Sequence, residues 1–420
     1  MRPKLPPKDA GPTPGSAPSQ PPDTPPDSGT RRGGLRALPG GIWALGLVSM
    51  FMDTSSELIH SLLPVFLVSV LGASMTTVGV IEGVAEATAA VTKVFSGAIS
   101  DYLGKRKLLA ALGYGVAALT KPIFPLAQSV GWVFGARFVD RVGKGIRGAP
   151  RDALVAEIAP RELRGAAYGL RQSLDSVGAF VGPLLALLAM AWFADDIRSV
   201  LWIAVVPAFV SVALLVFGVH EPEGAQPGAR SGLTVAHARR LGLRYWLVVV
   251  VGGLFTLARF SEAFLVLRAQ NVGLSLGHVP LVLIVMNVVY TAVAYPAGAA
   301  ADRFRARTLL IFGLGMLIGA DLVLGAAKSP LLAFAGAALW GAHLGLTQGL
   351  FSKLVADTAP PDLLGSAFGV FNLVTGGALL LASVFAGALW SAYGPAATFH
   401  LGAAFATMAL VGLAVSRHRR

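Results

Sequence analysis

Long apolar runs alternate with short polar segments along almost the whole chain. A helix needs about 20 apolar residues to cross a bilayer, and many of these runs reach that length. Several are longer, so the helices must tilt or protrude. The pattern predicts an all-α integral membrane protein with twelve transmembrane helices, at 42–71, 78–100, 108–127, 131–154, 164–192, 200–219, 245–268, 278–300, 309–327, 330–355, 364–390 and 396–416.

The two halves of the chain are copies of each other. Residues 151–170 reappear at 351–370 with nine identities in twenty positions, and both copies lie between long apolar runs. Duplicated membrane bundles are the arrangement in which secondary transporters place a substrate path between halves. We therefore predict two pseudo-symmetric six-helix bundles, at residues 41–219 and 245–416.

Three polar segments fall outside the predicted bundles. Residues 1–40 are rich in proline and poor in apolar side chains, so we expect a disordered tail. Residues 220–244 form the only long polar interruption and are predicted to link the bundles, while 417–420 form a short basic tail. No short apolar core with a cleavage site precedes the first helix, which argues against a signal peptide.

The distribution of basic residues predicts the orientation of the chain. Most Lys and Arg side chains fall in the amino terminus, the even-to-odd connections and the carboxyl terminus, and only Arg198 and Lys328 fall in the opposite loops. By the positive-inside rule both termini, and the linker, are cytoplasmic. We predict a multi-pass protein of the cell inner membrane, and the net charge of +12 then indicates topology, not nucleic-acid binding.

Composition excludes several other classes. The chain is 55% hydrophobic and only 13% charged, which is typical of a protein whose solvent is mainly lipid. It has no cysteine, which excludes disulfides, thiolate metal sites and cysteine nucleophiles. There is no Walker loop, no metal-binding histidine pair, no Gly-x-Ser-x-Gly elbow and no dinucleotide turn. We predict no enzyme activity, no cofactor and no metal.

A loop motif occurs at equivalent places in the two halves. The first copy has Gly97, Asp101, Gly104 and Arg106 after the second predicted helix, and the second has Asp302 after the eighth. The spacing resembles the G-x-x-x-D-R/K-x-G-R-R/K loop of the major facilitator superfamily, with departures in both copies. The resemblance covers residues 41–416 and implies twelve helices and transport by alternating access.

The resemblance also implies a gate. In that family the loop aspartate lies against the cytoplasmic ends of neighbouring helices and latches that side, so Asp101 paired with Arg141 is our candidate latch. The second copy is degenerate, because Arg305 replaces its second glycine. The gating residues implied are Gly97, Asp101, Gly104, Arg106, Arg141 and Asp302.

Two helices of the first half carry further likenesses. Arg137 matches the arginine of the family's A-R-F-x-x-G-x-G segment. Gly178, Gly182 and Pro183 resemble the G-x-x-x-G-P-x-x-G pattern of its exporters, although Ala186 replaces the last glycine. The resemblance is to a prokaryotic branch of the superfamily, implies no particular substrate, and favours efflux.

Ionisable residues inside the predicted helices are candidates for proton coupling. A charge at the bilayer centre costs about 2.5–3.5 kcal/mol, so such groups face a partner or a water-filled cavity. Asp53, Glu57 and His60 share one helical face. The acids either form static ion pairs with bases of the fourth and fifth helices, or one of them lacks donors and exchanges a proton. The candidates are Asp53 and Glu57 first, then Glu82, Glu86 and Asp175.

Fewer charged residues fall in the second half. Arg259 and Glu262 are three apart, close enough to pair on a helix. The neutral polar groups there bridge helices more often than they bind ligands. His343 is accordingly interpreted as an interhelical histidine. The candidate substrate contacts are Arg137, Arg171, Arg259, Glu262, Tyr290 and Gln348.

Three functions fit these patterns. The first is proton-coupled efflux of a small organic solute by a monomer whose halves rock around a midplane site. The second is proton symport of an organic anion held by Arg137, Arg171 or Arg259, because guanidinium geometry suits carboxylates and phosphates. The third is a non-transporting membrane receptor or assembly factor, which would need no titrating carboxylate.

Overall fold

A computed structural model describes residues 37–221, 240–304, 306–360 and 363–415, and within them the regular structure is helical. The predicted amino-terminal tail, most of the linker and the carboxyl-terminal tail lie outside these residues. Each of the twelve predicted helices corresponds to a helix of the structure, and α6 and α7 each consist of two segments: α1 Gly40–Val65, α2 Met75–Leu103, α3 Arg106–Thr120, α4 Val130–Ile158, α5 Arg164–Trp192, α6 Ile197–Ile203 and Val205–Gly218, α7 Leu243–Leu257 and Ala263–Asn271, α8 Leu281–Arg303, α9 Ala306–Ala326, α10 Pro330–Thr358, α11 Leu364–Tyr393, and α12 Pro395–Val415.

Eight of the described helices are long and apolar enough to cross a bilayer by themselves. The α2 and α4 helices are not among these eight, and both carry many of the charged side chains described below. The first part of α7 and the described part of α12 are apolar but shorter. The chain is therefore a multi-pass membrane protein. The predicted helix ends agree with the structure to within about four residues once the π-helix Phe66–Val70 is counted with α1 and the short helix Ile123–Leu126 with α3.

The seventh helix is broken where the sequence predicts a continuous one. It stops at Leu257 and resumes at Ala263. Within the break the backbone N–H of Ser261 donates to the side-chain oxygen of Ser383 on α11, at 3.1 Å, in place of a helical carbonyl. Non-helical backbone at membrane depth is tolerated where it contacts protein or a water-filled cavity, and this break has both.

The internal repeat is visible in the packing of α3 against α4 and of α9 against α10. A Cβ on Gly113 would lie 2.7 Å from the backbone nitrogen of Arg147. At the equivalent position 200 residues later, a Cβ on Gly313 would lie 2.3 Å from the side chain of Thr347. Glycine permits the same close helix approach in both halves.

The two halves meet mainly through α2 and α11. A Cβ on Gly79 of α2 would lie 2.2 Å from the carbonyl oxygen of Ser383, and one on Gly387 of α11 would lie 2.3 Å from that of Met75. Nearby, the hydroxyls of Thr76 and Ser391 lie 3.0 Å apart. These contacts lie at the end of the bundle opposite the beginning of α1 and the end of α12. We call it the distal end, and the other the proximal end.

The apolar core is continuous at one end of the bundle and divided at the other. One large cluster contains side chains of both halves, including Phe66 and Trp390 at the distal end. Two smaller clusters lie at the proximal end, one around Leu45 in the first half and one around Tyr245 in the second. The halves are therefore packed together distally and separated proximally.

Candidate functional site

A polar cavity lies between the halves where the core is divided. Its larger part has a volume of about 390 Å³ and a second part of about 320 Å³ continues toward the distal end. Helices α1, α2, α4, α7 and α11 all contribute side chains. Both parts are lined by Glu57, Glu86, Lys144, Arg259 and Leu379, so they form one continuous space.

The distal part of the cavity contains a chain of charged side chains from α1, α2 and α4. The Arg137 guanidinium donates to the Glu82 carboxylate at 2.9 Å, and both groups are buried. One imidazole nitrogen of His60 lies 3.8 Å from Glu82 and the other lies 3.3 Å from Glu57. The Ser261 hydroxyl, in the break of α7, donates to Glu82 at 3.5 Å. These contacts connect the first half to the second through one buried carboxylate.

A second charged cluster fastens α3 and α4 together inside the first half. The Lys121 ammonium donates to Asp140 at 2.8 Å and to the Ser56 hydroxyl at 3.1 Å. The Arg141 guanidinium lies 3.2 Å from Glu86 and 3.7 Å from Asp140. Lys121, Asp140 and Arg141 are all buried, whereas Glu86 is 33% exposed, so the cluster is paired throughout and reaches the cavity at Glu86.

The acids of the cavity wall differ in how closely a base approaches them. Asp53 comes no closer to Arg147 than 3.9 Å, which is beyond hydrogen-bond distance, and 29% of its side chain is exposed. Glu57 has His60 as its partner and is 25% exposed. By contrast Asp175 accepts a hydrogen bond from Arg171 at 2.5 Å. Among the predicted coupling residues, Asp53 therefore has the most distant base, and Glu57 has an imidazole and not a guanidinium as its partner.

Four charged residues of the cavity have no partner among the described residues. Lys93, Lys144, Arg259 and Glu262 line it without a salt bridge or a side-chain hydrogen bond in the described chain. The pairing predicted for Arg259 and Glu262 does not form, because both residues lie in the break of α7. Helical spacing does not apply there.

The predicted substrate contacts are brought together only in part. Arg259, Glu262 and Gln348 line the cavity. Arg137 and Arg171 do not line it, because each forms an ion pair with a carboxylate of the first half. The sixth residue, Tyr290, lines a separate space of about 230 Å³ inside the second half, which Gln348 also reaches.

The predicted gating residues are divided between two levels of the bundle. Gly104 ends α2 with a φ of +62°, which favours glycine, so the tight turn is present. Arg106 forms an ion pair with Glu157 near the end of α4. The side chains of Asp101 and Asp302 lie outside the described part of the structure. Gly97 faces α4.

The position of Arg141 corrects the expected latch. It lies in the middle of α4 and pairs with Glu86, which precedes Asp101 by 15 residues. That separation is about 22 Å along a helix, so Arg141 belongs to the cavity and not to the loop after α2.

Sequence reasoning missed several functional positions. Lys93 and Lys144 were not among the predicted site residues, although both line the cavity. The pairing of Lys121 was also missed, although a lone lysine in an apolar run is a usable signal. In the second half the equivalent residue is Asp321, which is fully buried and has no hydrogen-bond partner for either oxygen among the described residues. His343 is buried and lies 2.8 Å from the Gly313 carbonyl, as expected of an interhelical histidine.

Comparison with known proteins gives a consistent picture. The family profile described as "Major Facilitator Superfamily" matches residues 45–268 and 250–420. An uncharacterised MFS-type transporter of Methanocaldococcus jannaschii is 31% identical over 384 residues, covering 88% of this chain and 93% of the relative.

Solved structures share the fold at low sequence identity. The nucleoside transporter NupG superposes with a TM-score of 0.74 at 12% identity, and the match covers 90% of this chain and 99% of NupG. The human organic anion transporter MFSD10 gives a TM-score of 0.64 at 17% identity, and that match covers 89% of this chain and 99% of MFSD10.

Proposed function

Because the chain belongs to the Major Facilitator Superfamily, a family of transporters and not of enzymes, we propose that it is a proton-coupled secondary transporter that binds its substrate in the cavity between its halves. The observation that carries the proposal is the cavity itself, which is lined from both halves and contains acids with weak base partners. A small solute and protons are its partners, and it works as a monomer.

Alternating access follows from the uneven packing of the two ends. The halves are joined distally through α2 and α11 and by a hydrogen bond of 2.8 Å from Gln270 to Ser69. They enclose the cavity proximally. In the proposed cycle the distal contacts break as the proximal ends of the helices close. In one state the two halves pack together at the distal end, and in the other they pack together at the proximal end. This is rigid-body rocking of the two repeats.

Proton coupling is assigned to Asp53 and Glu57, with His60 between Glu57 and Glu82. Asp53 faces the cavity without a base at hydrogen-bond distance, and such a carboxylate loses less when it is protonated than one held in a tight ion pair. The His60 imidazole can accept a proton on one nitrogen and release one from the other. Its position gives the proton a route between the cavity and the buried Glu82 carboxylate.

Neutralising the coupling acids is expected to separate pH-driven flux from exchange. In proteoliposomes, neutralising whichever of the two acids carries the proton, as Asp53→Asn or Glu57→Gln, should lower uphill flux at least tenfold, because that variant has no proton to move. Substrate binding and substrate exchange should persist. Asp175→Asn is the matched control, since Asp175 lines the same cavity but has a close arginine, and it should lower stability and every transport mode together. A full pH-gradient response in the double mutant would refute the assignment.

We propose that the direction of transport is export, because α5 carries a sequence that resembles the glycine-proline pattern of the family's exporters. Gly178 and Gly182 of that motif let α5 pack on the backbone of α1, the helix that carries Asp53 and Glu57. Flux measured in vesicles of both orientations under an imposed pH gradient tests this direction. Uphill accumulation only on the side from which protons leave would support antiport.

From the basic-residue pattern we propose an inner-membrane protein whose termini are both cytoplasmic. Reporter domains fused after Arg420 and within residues 220–244 should both report a cytoplasmic location. Alkaline phosphatase, active only outside the cytoplasm, should be inactive at both points. The same fusion in the α5–α6 loop, beside Asp195, should be active and serves as the control. Phosphatase activity at either first point would overturn the orientation.

The loop after α2 is proposed as the proximal gate. Gly104 makes the turn and Arg106 pairs with Glu157, so the loop is tied to α4 of the same half. Asp101, Gly97 and Asp302 are assigned to this gate by the family resemblance. Closing the proximal end would bring this loop toward α11, its neighbour across the cavity.

A further inference from the structure

We propose that the substrate is an organic anion whose carboxylate or phosphate is held between Lys144 of α4 and Arg259 in the break of α7, so that the bound anion bridges the two halves. This inference rests on the proposed function and specifies its substrate class. The sequence had placed the acid group on Arg137, Arg171 or Arg259, and of these only Arg259 is available.

The unpaired charge in the cavity is mostly positive. Almost every acid of the wall already has a base or an imidazole within 4 Å, whereas three bases have no acid that close in the described chain. These bases are Lys93, Lys144 and Arg259, and Glu262 is the one comparable acid. The occupied pairs are Asp53–Arg147, Glu57–His60, Glu82–Arg137, Glu86–Arg141 and Asp175–Arg171.

A cationic ligand and an anionic ligand would have to break different numbers of existing ion pairs in the cavity. A cationic ligand would have to compete with an existing partner at every acid except Glu262. An anionic ligand meets ammonium and guanidinium groups whose donors are free, and it gains charge-assisted hydrogen bonds without breaking an ion pair. Unpaired bases at membrane depth are costly, and a ligand that neutralises them lowers that cost. The free groups therefore favour an anion.

The two bases lie in opposite halves of the protein and face the same cavity. Lys144 lies on α4 in the first half and Arg259 on α7 in the second, and both line the two parts of the cavity. The planar guanidinium of Arg259 suits bidentate contact with a carboxylate or phosphate, and the Lys144 ammonium supplies a point charge. Arg259 follows the helical part that ends at Leu257, and broken helices at this depth are typical of substrate sites.

Bridging gives the anion a role in the transport cycle. No salt bridge among the described residues joins the first half to the second. An acid group between Lys144 and Arg259 would supply such a link within the divided part of the core and draw the proximal ends together. The anion would contact both bases in the closed proximal state and fewer groups in the open one. Substrate binding would then favour the closed proximal state, because the anion binds it more tightly. Lys93, on α2, adds attraction at the cavity entrance.

The test compares acids with their neutral counterparts. Purified protein is screened for thermal stabilisation against small carboxylates and phosphates, each beside its amide or ester, at constant ionic strength. Acids should stabilise the protein and their neutral counterparts should not. Lys144→Gln and Arg259→Gln should each weaken binding of a stabilising acid at least tenfold. Arg164→Gln, which removes an exposed base outside the cavity, should leave binding unchanged.

A distance measurement tests the bridge separately from binding. Because the chain contains no cysteine, single cysteines at Tyr102 and Phe304 can carry spin labels without other changes. These exposed positions end α2 and α8 in opposite halves. A binding acid should shorten their distance in the wild type and not in Arg259→Gln. Binding without shortening would refute the bridge.

The outcomes also separate this proposal from the transport proposal. If no acid stabilises the protein, or if a stabilising acid binds Lys144→Gln and Arg259→Gln as tightly as wild type, the anion site is refuted. If a neutral or cationic solute is then carried into proteoliposomes, the transport proposal stands and the proposed substrate class is wrong. Loss of all flux in vesicles that still bind the acid would refute transport and not the site.

Discussion

Replacing Lys121 by methionine is expected to lower the stability of the protein by about 3–5 kcal/mol, because Asp140 would remain buried without its base. The Lys121 ammonium is the closest cation to Asp140, at 2.8 Å, while Arg141 approaches it only to 3.7 Å. The shift is measured as the change in unfolding midpoint in an SDS titration or as loss of folded protein on heating.

The matched double variant distinguishes a broken pair from a loss of packing. Lys121→Met combined with Asp140→Leu removes both charges, and replacing a whole buried pair by apolar groups is often neutral. Most of the stability should therefore return. In the second half, Asp321→Leu at the equivalent position should not destabilise, since Asp321 has no partner to lose among the described residues. A double variant as unstable as the single one would show that the pair is not the cause.

Gly79→Val is expected to abolish transport by separating α2 from α11 at the distal end. The added Cβ would meet the Ser383 carbonyl at 2.2 Å, a backbone atom that cannot rotate away. The helices must then move apart, and the halves lose the contact that closes the distal side. We expect flux to fall at least tenfold and the distance between spin labels at Val70 and Tyr393 to increase.

A second glycine provides the control for this change. Gly377→Ala adds a methyl group to α11 where no atom lies within 4 Å, so flux and the label distance should match the wild type. Gly387→Val should reproduce the effect of Gly79→Val from the other helix, since its Cβ would lie 2.3 Å from the Met75 carbonyl. Normal flux in both valine variants would mean that this crossing does not form in the working protein.

The sequence predicted the helices well because a bilayer imposes one simple rule on them. An apolar run of sufficient length must be a helix, and the duplication fixed the order of the halves. The break of α7 was missed, because no proline marks it and its replacement hydrogen bond comes from Ser383, 122 residues away. Tertiary contacts of this kind leave no local pattern.

The site was predicted in composition but not in pairing. Spacing placed Asp53, Glu57 and His60 on one face of α1, and the cavity confirms that face for Asp53 and Glu57, with His60 in its distal part. Which base Asp53, Glu82 and Glu86 meet depends on the rotation and depth of α4, which the sequence does not determine. Arg137 was therefore predicted as a ligand contact although it pairs with Glu82. Arg171 was predicted as another although it pairs with Asp175 one helical turn away on α5, and Lys144 was not among the predicted contacts.

The ion pairs of α4 also constrain how the chain is made. Three of its charged residues, Arg137, Asp140 and Arg141, find partners in parts of the chain synthesised earlier, namely Glu82 and Glu86 on α2 and Lys121 at the end of α3. When α4 leaves the ribosome it carries charges that disfavour insertion of an isolated helix, so α2 and α3 must still be beside the insertion channel to receive it. Biogenesis of the first half is then a joint event of several helices. The apolar α9 and α10 of the second half can each enter the lipid alone.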